Sequence, residues 1–186
     1  MKRALIVPLA VLAACQHKNS VTADNASTGE VAAKVAAAGG GPIALAPGHY
    51  DMTYAVTKVD MPGMPPAVAQ SIKGSLGKGM TAPICVTEAD AKKPAASIFA
   101  GANSKACTYD HFAMATGSID ATMTCQAGPA TATSTIKGSF TGDGFHMDVG
   151  TITKGPAGQP MGAMTMAATI DAHRTGACTG SERHGA

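Results

Sequence analysis

The sequence predicts a mainly β domain, an antiparallel curved sheet or partly open barrel of about seven strands with one or two short helices and two disulfides. Three observations carry that prediction. Apolar and polar residues alternate with a period of two in several stretches, as in Tyr50, Met52, Tyr54 and Val56, or Met164, Met166, Ala168 and Ile170. The chain holds 22 Gly and many Thr, a composition of turns and strands rather than long helices. It has no Trp, 4 Phe and 3 Tyr but 11 Met, so flexible thioethers fill space that aromatic rings occupy elsewhere.

The first strand is expected after Pro47-Gly48, with Tyr50 to Val56 alternating against His49 to Ala55. Met61-Pro62-Gly63-Met64-Pro65-Pro66 ends it, because proline donates no ladder hydrogen bond. Val68, Ile72 and Leu76 then share one side of a short helix with Pro66 in its first turn. A strand over Met80 to Val86 carries Cys85, and Thr87 caps a brief helical turn from Glu88 to Lys93. Ala115-Thr116-Gly117 fits a three-residue hairpin loop. In that register Met114 opposes Ser118, His111 turns inward opposite Ala121, and Cys107 meets Cys125 at a non-hydrogen-bonded site. A second hairpin turns at Asp143-Gly144, with Phe140 opposing Met147, and Gly150 is expected to mark a bulge. Met164 to Ile170 forms the last strand.

At the amino terminus, Lys2 and Arg3 precede the apolar run Ala4 to Ala14, which closes as Leu12-Ala13-Ala14-Cys15. A charged start, a short apolar core and small residues at the cut make a secretory signal. The run is too short for a bilayer, which takes roughly 20 apolar residues. The cysteine behind small residues resembles the lipobox of bacterial lipoproteins, which implies acylation of Cys15 and loss of residues 1–14. Gln16, which is not the aspartate linked to inner-membrane retention, then points to the periplasmic face of the outer membrane. Residues 15–46, rich in Ala, Ser, Thr and Gly, read as a lipidated flexible tether, 47–180 as the β domain and 181–186 as a tail.

Cleavage removes Lys2 and Arg3, leaving 12 of 14 basic residues against 12 acidic ones. A neutral mature chain lacks the basic excess of a nucleic-acid binder. Acylation of Cys15 leaves Cys85, Cys107, Cys125 and Cys178, an even set that in an exported chain reads as disulfides. The hairpin register selects Cys107–Cys125, which leaves Cys85–Cys178. No C-x₂-C spacing supports zinc.

Gly48-His49-Tyr50, Met61-Pro62-Gly63-Met64-Pro65, Cys85-Val86-Thr87-Glu88, the Cys107 to Cys125 hairpin and Gly176-Ala177-Cys178 follow one another in the chain. This ordered set resembles a proteobacterial envelope family, domain of unknown function three-six-one-seven, over nearly all of residues 47–180. Its members typically carry Trp where this chain has Tyr50. The resemblance implies an exported, disulfide-containing domain and brings no reaction, ligand or catalytic residue.

No nucleophile elbow or P-loop pattern is present, so no catalytic residue, cofactor or metal ligand is assigned. Every cysteine of the domain is committed to a bridge. The sequence therefore favours a non-catalytic, lipid-anchored periplasmic domain. Met52, Met123, Met147, Met164 and Met166 would line an adaptable apolar concavity for a small apolar ligand or an envelope component. The alternatives are a structural or protein-interaction module without a pocket, and a Cu(I) site drawn from Met61, Met64, Met161, Met164 and Met166 with His146 or His173.

Overall fold

A computed structural model describes residues 20–38, 45–91, 106–156, 163–180 and 182–184. The expectations for Cys15, the signal segment and Met161 fall outside them. Nine strands and three helices follow one another as β1 (Val21–Ser27), α1 (Thr28–Ala37), β2 (Gly48–Asp60), α2 (Pro66–Leu76), β3 (Met80–Val86), α3 (Glu88–Ala91), β4 (Cys107–Ala115), β5 (Ser118–Ala127), β6 (Ala130–Thr141), β7 (Gly144–Lys154), β8 (Met164–Gly176) and β9 (Arg183–His184). All nine join one open sheet in the order β1-β4-β5-β6-β7-β8-β2-β3-β9. Eight are antiparallel to their neighbours, and the two-residue β9 lies parallel on β3. The mainly β expectation holds, with two strands more than predicted.

Those extra strands come from the two segments read as tether and tail. Ser27 accepts a hydrogen bond from the Glu30 backbone N–H, and the Glu30 carboxylate accepts one from the Ser27 N–H. This capping box starts α1 where Ala-rich composition suggested a flexible chain. Val31 and Val35, one turn apart, are then buried with Val21, Ala23 and Ala26 of β1 against Tyr109, Phe112, Met114, Ile119 and Ala121. The tether assignment is thus overturned for residues 21–37, which complete a hydrophobic core. The tail assignment fails likewise: Glu182 is buried, and Arg183 and His184 pair with Ile84 and Cys85.

The first hairpin also departs from its expected register. Ala115 pairs with Ser118 around a two-residue Thr116-Gly117 loop, with Gly117 at φ +75°. Every pair near the tip is therefore displaced by one, and His111 meets Thr122 rather than Ala121. A bulge at Asp110 restores Tyr109↔Met123 and Cys107↔Cys125. The extra residue lets Tyr109 and Phe112 reach the same core, where their rings meet edge-on at 5.2 Å between centroids. His111, expected inward, is exposed and bonds Asp24 at 2.8 Å.

In the second hairpin Thr141 pairs with Gly144, so Phe140 opposes Phe145 and Gly138 opposes Met147. The register differs by two residues from the expected one, which leaves each side chain on its expected face. Gly150 makes no bulge; it pairs in unbroken register with Thr135 and Ala167. The apparent slip arises because Ile152 lies on the polar face, 48% exposed.

Both disulfides form as expected. Cys107 and Cys125 stand directly opposite with Cα atoms 4.0 Å apart, the close spacing of a non-hydrogen-bonded pair. Cys85–Cys178 ties β3 to the chain after β8.

Candidate functional site

The cross-strand pairing gives the sheet two unlike faces. One row runs Met114, Ile119, Gly138, Met147, Ile170 and Tyr54, each opposite the next. The rows beside it add Ala172 and Met52 on one side, and Val149, Ala168 and Val56 on the other. Further along the strands, Met123, Ser134, Thr151 and Met166 form a row, then Cys125, Ala132, Thr153 and Met164. Strands β5 to β8 contribute no ionisable side chain to these rows.

Met52, Met123, Met147, Met164 and Met166, scattered over four strands, thus share one face. Met147 is 9% exposed and the other four are half-buried. The core under α1 covers one part of this face. Tyr50, Val86 and Ala172, with Leu45, Met52, Ile84 and Phe145 packed against them, form a second cluster near the start of β2. The Tyr50 hydroxyl is held between the carbonyls of Ala46 and Gly142, at 2.7 and 3.0 Å. Burial raises its pKa above the ordinary tyrosine value. Met123 packs against the first cluster and Met52 against the second, whereas Met147, Val149, Ile170, Met164 and Met166 belong to neither.

The opposite face is polar. Thr122 pairs with Thr135 and Thr124 with Thr133, and the latter hydroxyls are 3.3 Å apart. Lys137 bonds Asp120 at 2.8 Å. His146 lies 2.6 Å from Asp171 and 3.5 Å from Asp148, and the Asp171 hydrogen bond raises its pKa. An open groove on β4 to β7 is lined by Thr22, Ala113, Lys137, His146 and Asp148 among others. A second lies between β2 and α2. Neither is lined by any of the five methionines.

At the carboxyl end, Glu182 has no exposed side-chain surface. Its carboxylate accepts hydrogen bonds from the backbone N–H groups of Thr179 and Gly180 and from the Thr179 hydroxyl. His49 Nδ1 completes the set at 2.5 Å, and Asp51 lies 3.4 Å from Nε2 of the same ring. The Thr179 backbone donor, then His49, hold the Glu182 carboxyl well below the usual range, and Glu182 in turn raises His49. Every oxygen is satisfied, so this is a structural clasp. Its sequence signal was weak, since the Thr179 to Glu182 loop has no periodic pattern.

Of the thioethers considered for copper, Met164 and Met166 lie in β8. Asp60, the last residue of β2, pairs with Thr165, which brings the start of the Met61 to Met64 loop to the same end of the sheet. Among the described residues no group of three or more His, Cys, Asp or Glu side chains is placed to hold a metal. No helix among them is long and apolar enough to cross a membrane.

No curated protein and no solved structure matches the chain. The family model described as Protein of unknown function (DUF3617) matches residues 45–178, from just before β2 to the second cysteine of the Cys85–Cys178 bridge, with β1 and α1 ahead of it. The chain belongs to the DUF3617 family.

Proposed function

We propose that this protein is an exported, non-catalytic domain of the bacterial cell envelope, anchored through an acylated Cys15 at the periplasmic face of the outer membrane. Its task is to hold a flexible hydrocarbon ligand, such as the acyl chain of an envelope lipid, along the methionine face. The observation that carries the reading is the register itself: five methionines from β2, β5, β7 and β8 converge on one face, and β5 to β8 bring no charge to the rows they occupy, Arg174 of β8 lying beyond them opposite Tyr50. Unbranched, polarisable thioethers re-pack around chains of varied shape, which a surface of aromatic rings does less readily. A ligand lying there leaves no ionised group of those four strands buried without a partner.

The test is binding of a fluorescent polyunsaturated fatty acid to the mature protein, with Met166→Lys as the comparison. Saturable micromolar binding, weakened about tenfold or more by the lysine, is expected from burying a charge beside the chain. A folded protein with no uptake by either form overturns the ligand reading. The rival, an interaction module without a ligand, is then favoured, and native mass spectrometry of the envelope-purified protein would show a protein and no lipid.

A further inference from the structure

Strand β1 begins at Val21, so only residues 16–20 separate it from Cys15. The composition of residues 15–46 suggested a long tether, but residues 21–37 are built into the sheet and its core. Whatever conformation the remaining linker takes, covalent geometry limits the distance from Cys15 to Val21 to about 20 Å.

Val21 pairs with Met114, one residue from the Thr116-Gly117 turn. The β6–β7 turn lies at this same end, because Ser118 pairs with Ser139. The two turns and the start of β2 are bonded into one rim. Gly117 O accepts from Phe140 N, Gly142 O from Ala46 N, and Asp143 O from Arg174 N, each at 2.8 Å. Thr116, Gly142 and Asp143 are exposed on it. The other end of the sheet, with the β5–β6 turn and Lys154, lies about 30 Å farther along the strands.

We infer that this turn rim is the surface the domain presents to the lipid bilayer. The inference rests on acylation of Cys15 and deepens the proposed function. The occupant of the rim follows from where the chain outside the structure ends: an acylated Cys15 lies in the membrane, and Val21 is tied to it by a leash shorter than the sheet is long. The strands then rise from the bilayer, and the methionine face runs from Met52 and Met147, toward the leaflet holding the anchor, to Met164 near the far end. A hydrocarbon chain can pass between that leaflet and the face without crossing the aqueous periplasm.

The experiment uses the full-length lipidated protein in phosphatidylethanolamine–phosphatidylglycerol vesicles whose headgroups carry an energy-transfer acceptor. A donor is attached at Thr116→Cys on the rim or at Lys154→Cys at the far end, the native domain cysteines being bridged. Transfer from position 116 is expected to exceed that from 154 roughly fivefold, given the separation of about 30 Å. Inserting about twenty Gly/Ser residues between His17 and Lys18 should abolish the difference. Equal transfer from both sites in a protein whose mass shows acylated Cys15 overturns the seating and leaves the anchor intact. A mature protein without acyl mass on Cys15 overturns both.

Discussion

His49 and Glu182, 133 positions apart in the chain, meet at 2.5 Å and fasten the carboxyl-terminal segment to the edge of the sheet. The Cys85–Cys178 bridge fixes the same segment four residues earlier. His49 is raised, chiefly by its Glu182 bond, so its contribution is complete below the ordinary imidazole pKa near 6.5 and is lost as pH rises through the folded value. Glu182 is lowered, chiefly by the Thr179 backbone N–H, so its contribution is complete above the ordinary carboxyl value of 4.5 and fades as pH falls. The clasp is therefore tightest between about pH 4.5 and 6.5. Amide exchange of residues 178–184 should be slowest in that window and faster at pH 8, once intrinsic rates are corrected. Glu182→Gln should remove most of the pH dependence, and a pH-independent difference between wild type and variant would contradict this account.

The amino-terminal pair β1 and α1 should be indispensable to the domain even though the matched family span begins after it. Val35 is fully buried among Tyr109, Phe112 and Met114. Val35→Asp is expected to cost about 3–5 kcal/mol, the usual penalty for a buried charge with no partner. A protein starting at residue 45 should bind a hydrophobic dye strongly and melt well below the full chain, because Phe112 and Met114 lose their cover. Unchanged melting of the truncated form would return residues 21–37 to the status of a tether.

Most of the sheet was legible because strand faces follow a period of two, and a register error of two residues leaves the faces unchanged. Phe140, Met147 and Gly138 illustrate this: their partners were misplaced and their faces were not. One-residue effects were harder. Within β4 the apolar positions change parity, Cys107 and Tyr109 odd and Phe112 and Met114 even, and that slip is the mark of the Asp110 bulge. The helix α1 was obscured by Ala and Thr composition, although Ser27-x-x-Glu30 followed by Val31 and Val35 carries the capping signal. β9 and the Glu182 clasp had no readable signal, because a two-residue parallel pairing is created by the tertiary fold. The methionine face was legible as a set of residues, but its openness depends on what packs over it.

The two disulfides should contribute unequally. Cys107–Cys125 closes a sequence separation of 18 and Cys85–Cys178 one of 93. In the chain-entropy model these correspond to about 3 and about 4.7 kcal/mol. Replacing each pair with Ala and comparing urea midpoints should show the larger loss for Cys85/Cys178. That variant should also speed exchange in β9, which the Cys107/Cys125 variant should leave protected. A larger loss for the hairpin bridge would mean that strain or residual structure outweighs loop entropy here.

The unlike faces of the sheet predict unlike tolerance to substitution along a single strand. Ile152 projects from the polar face of β7, between Thr133 and Thr165, and is 48% exposed. Ile152→Thr extends the threonine surface and should change stability by no more than about 0.5 kcal/mol. Met147, five residues earlier on the same strand, is 9% exposed and lies beside Gly138, where an added Cβ would come within 2.9 Å of its Cγ. Met147→Ala should cost about 2–5 kcal/mol. Gly138→Ala should be destabilising by about 1–3 kcal/mol, because the new methyl also meets Ile119 Cγ2 at 3.0 Å and the His146 carbonyl at 3.1 Å. Combining Met147→Ala with Gly138→Ala relieves the methionine part of the clash, so the double variant should be less damaged than the sum of the two. Chemical denaturation of the four proteins measures that coupling directly, and strict additivity would show that the backbone contact with His146 dominates the cost.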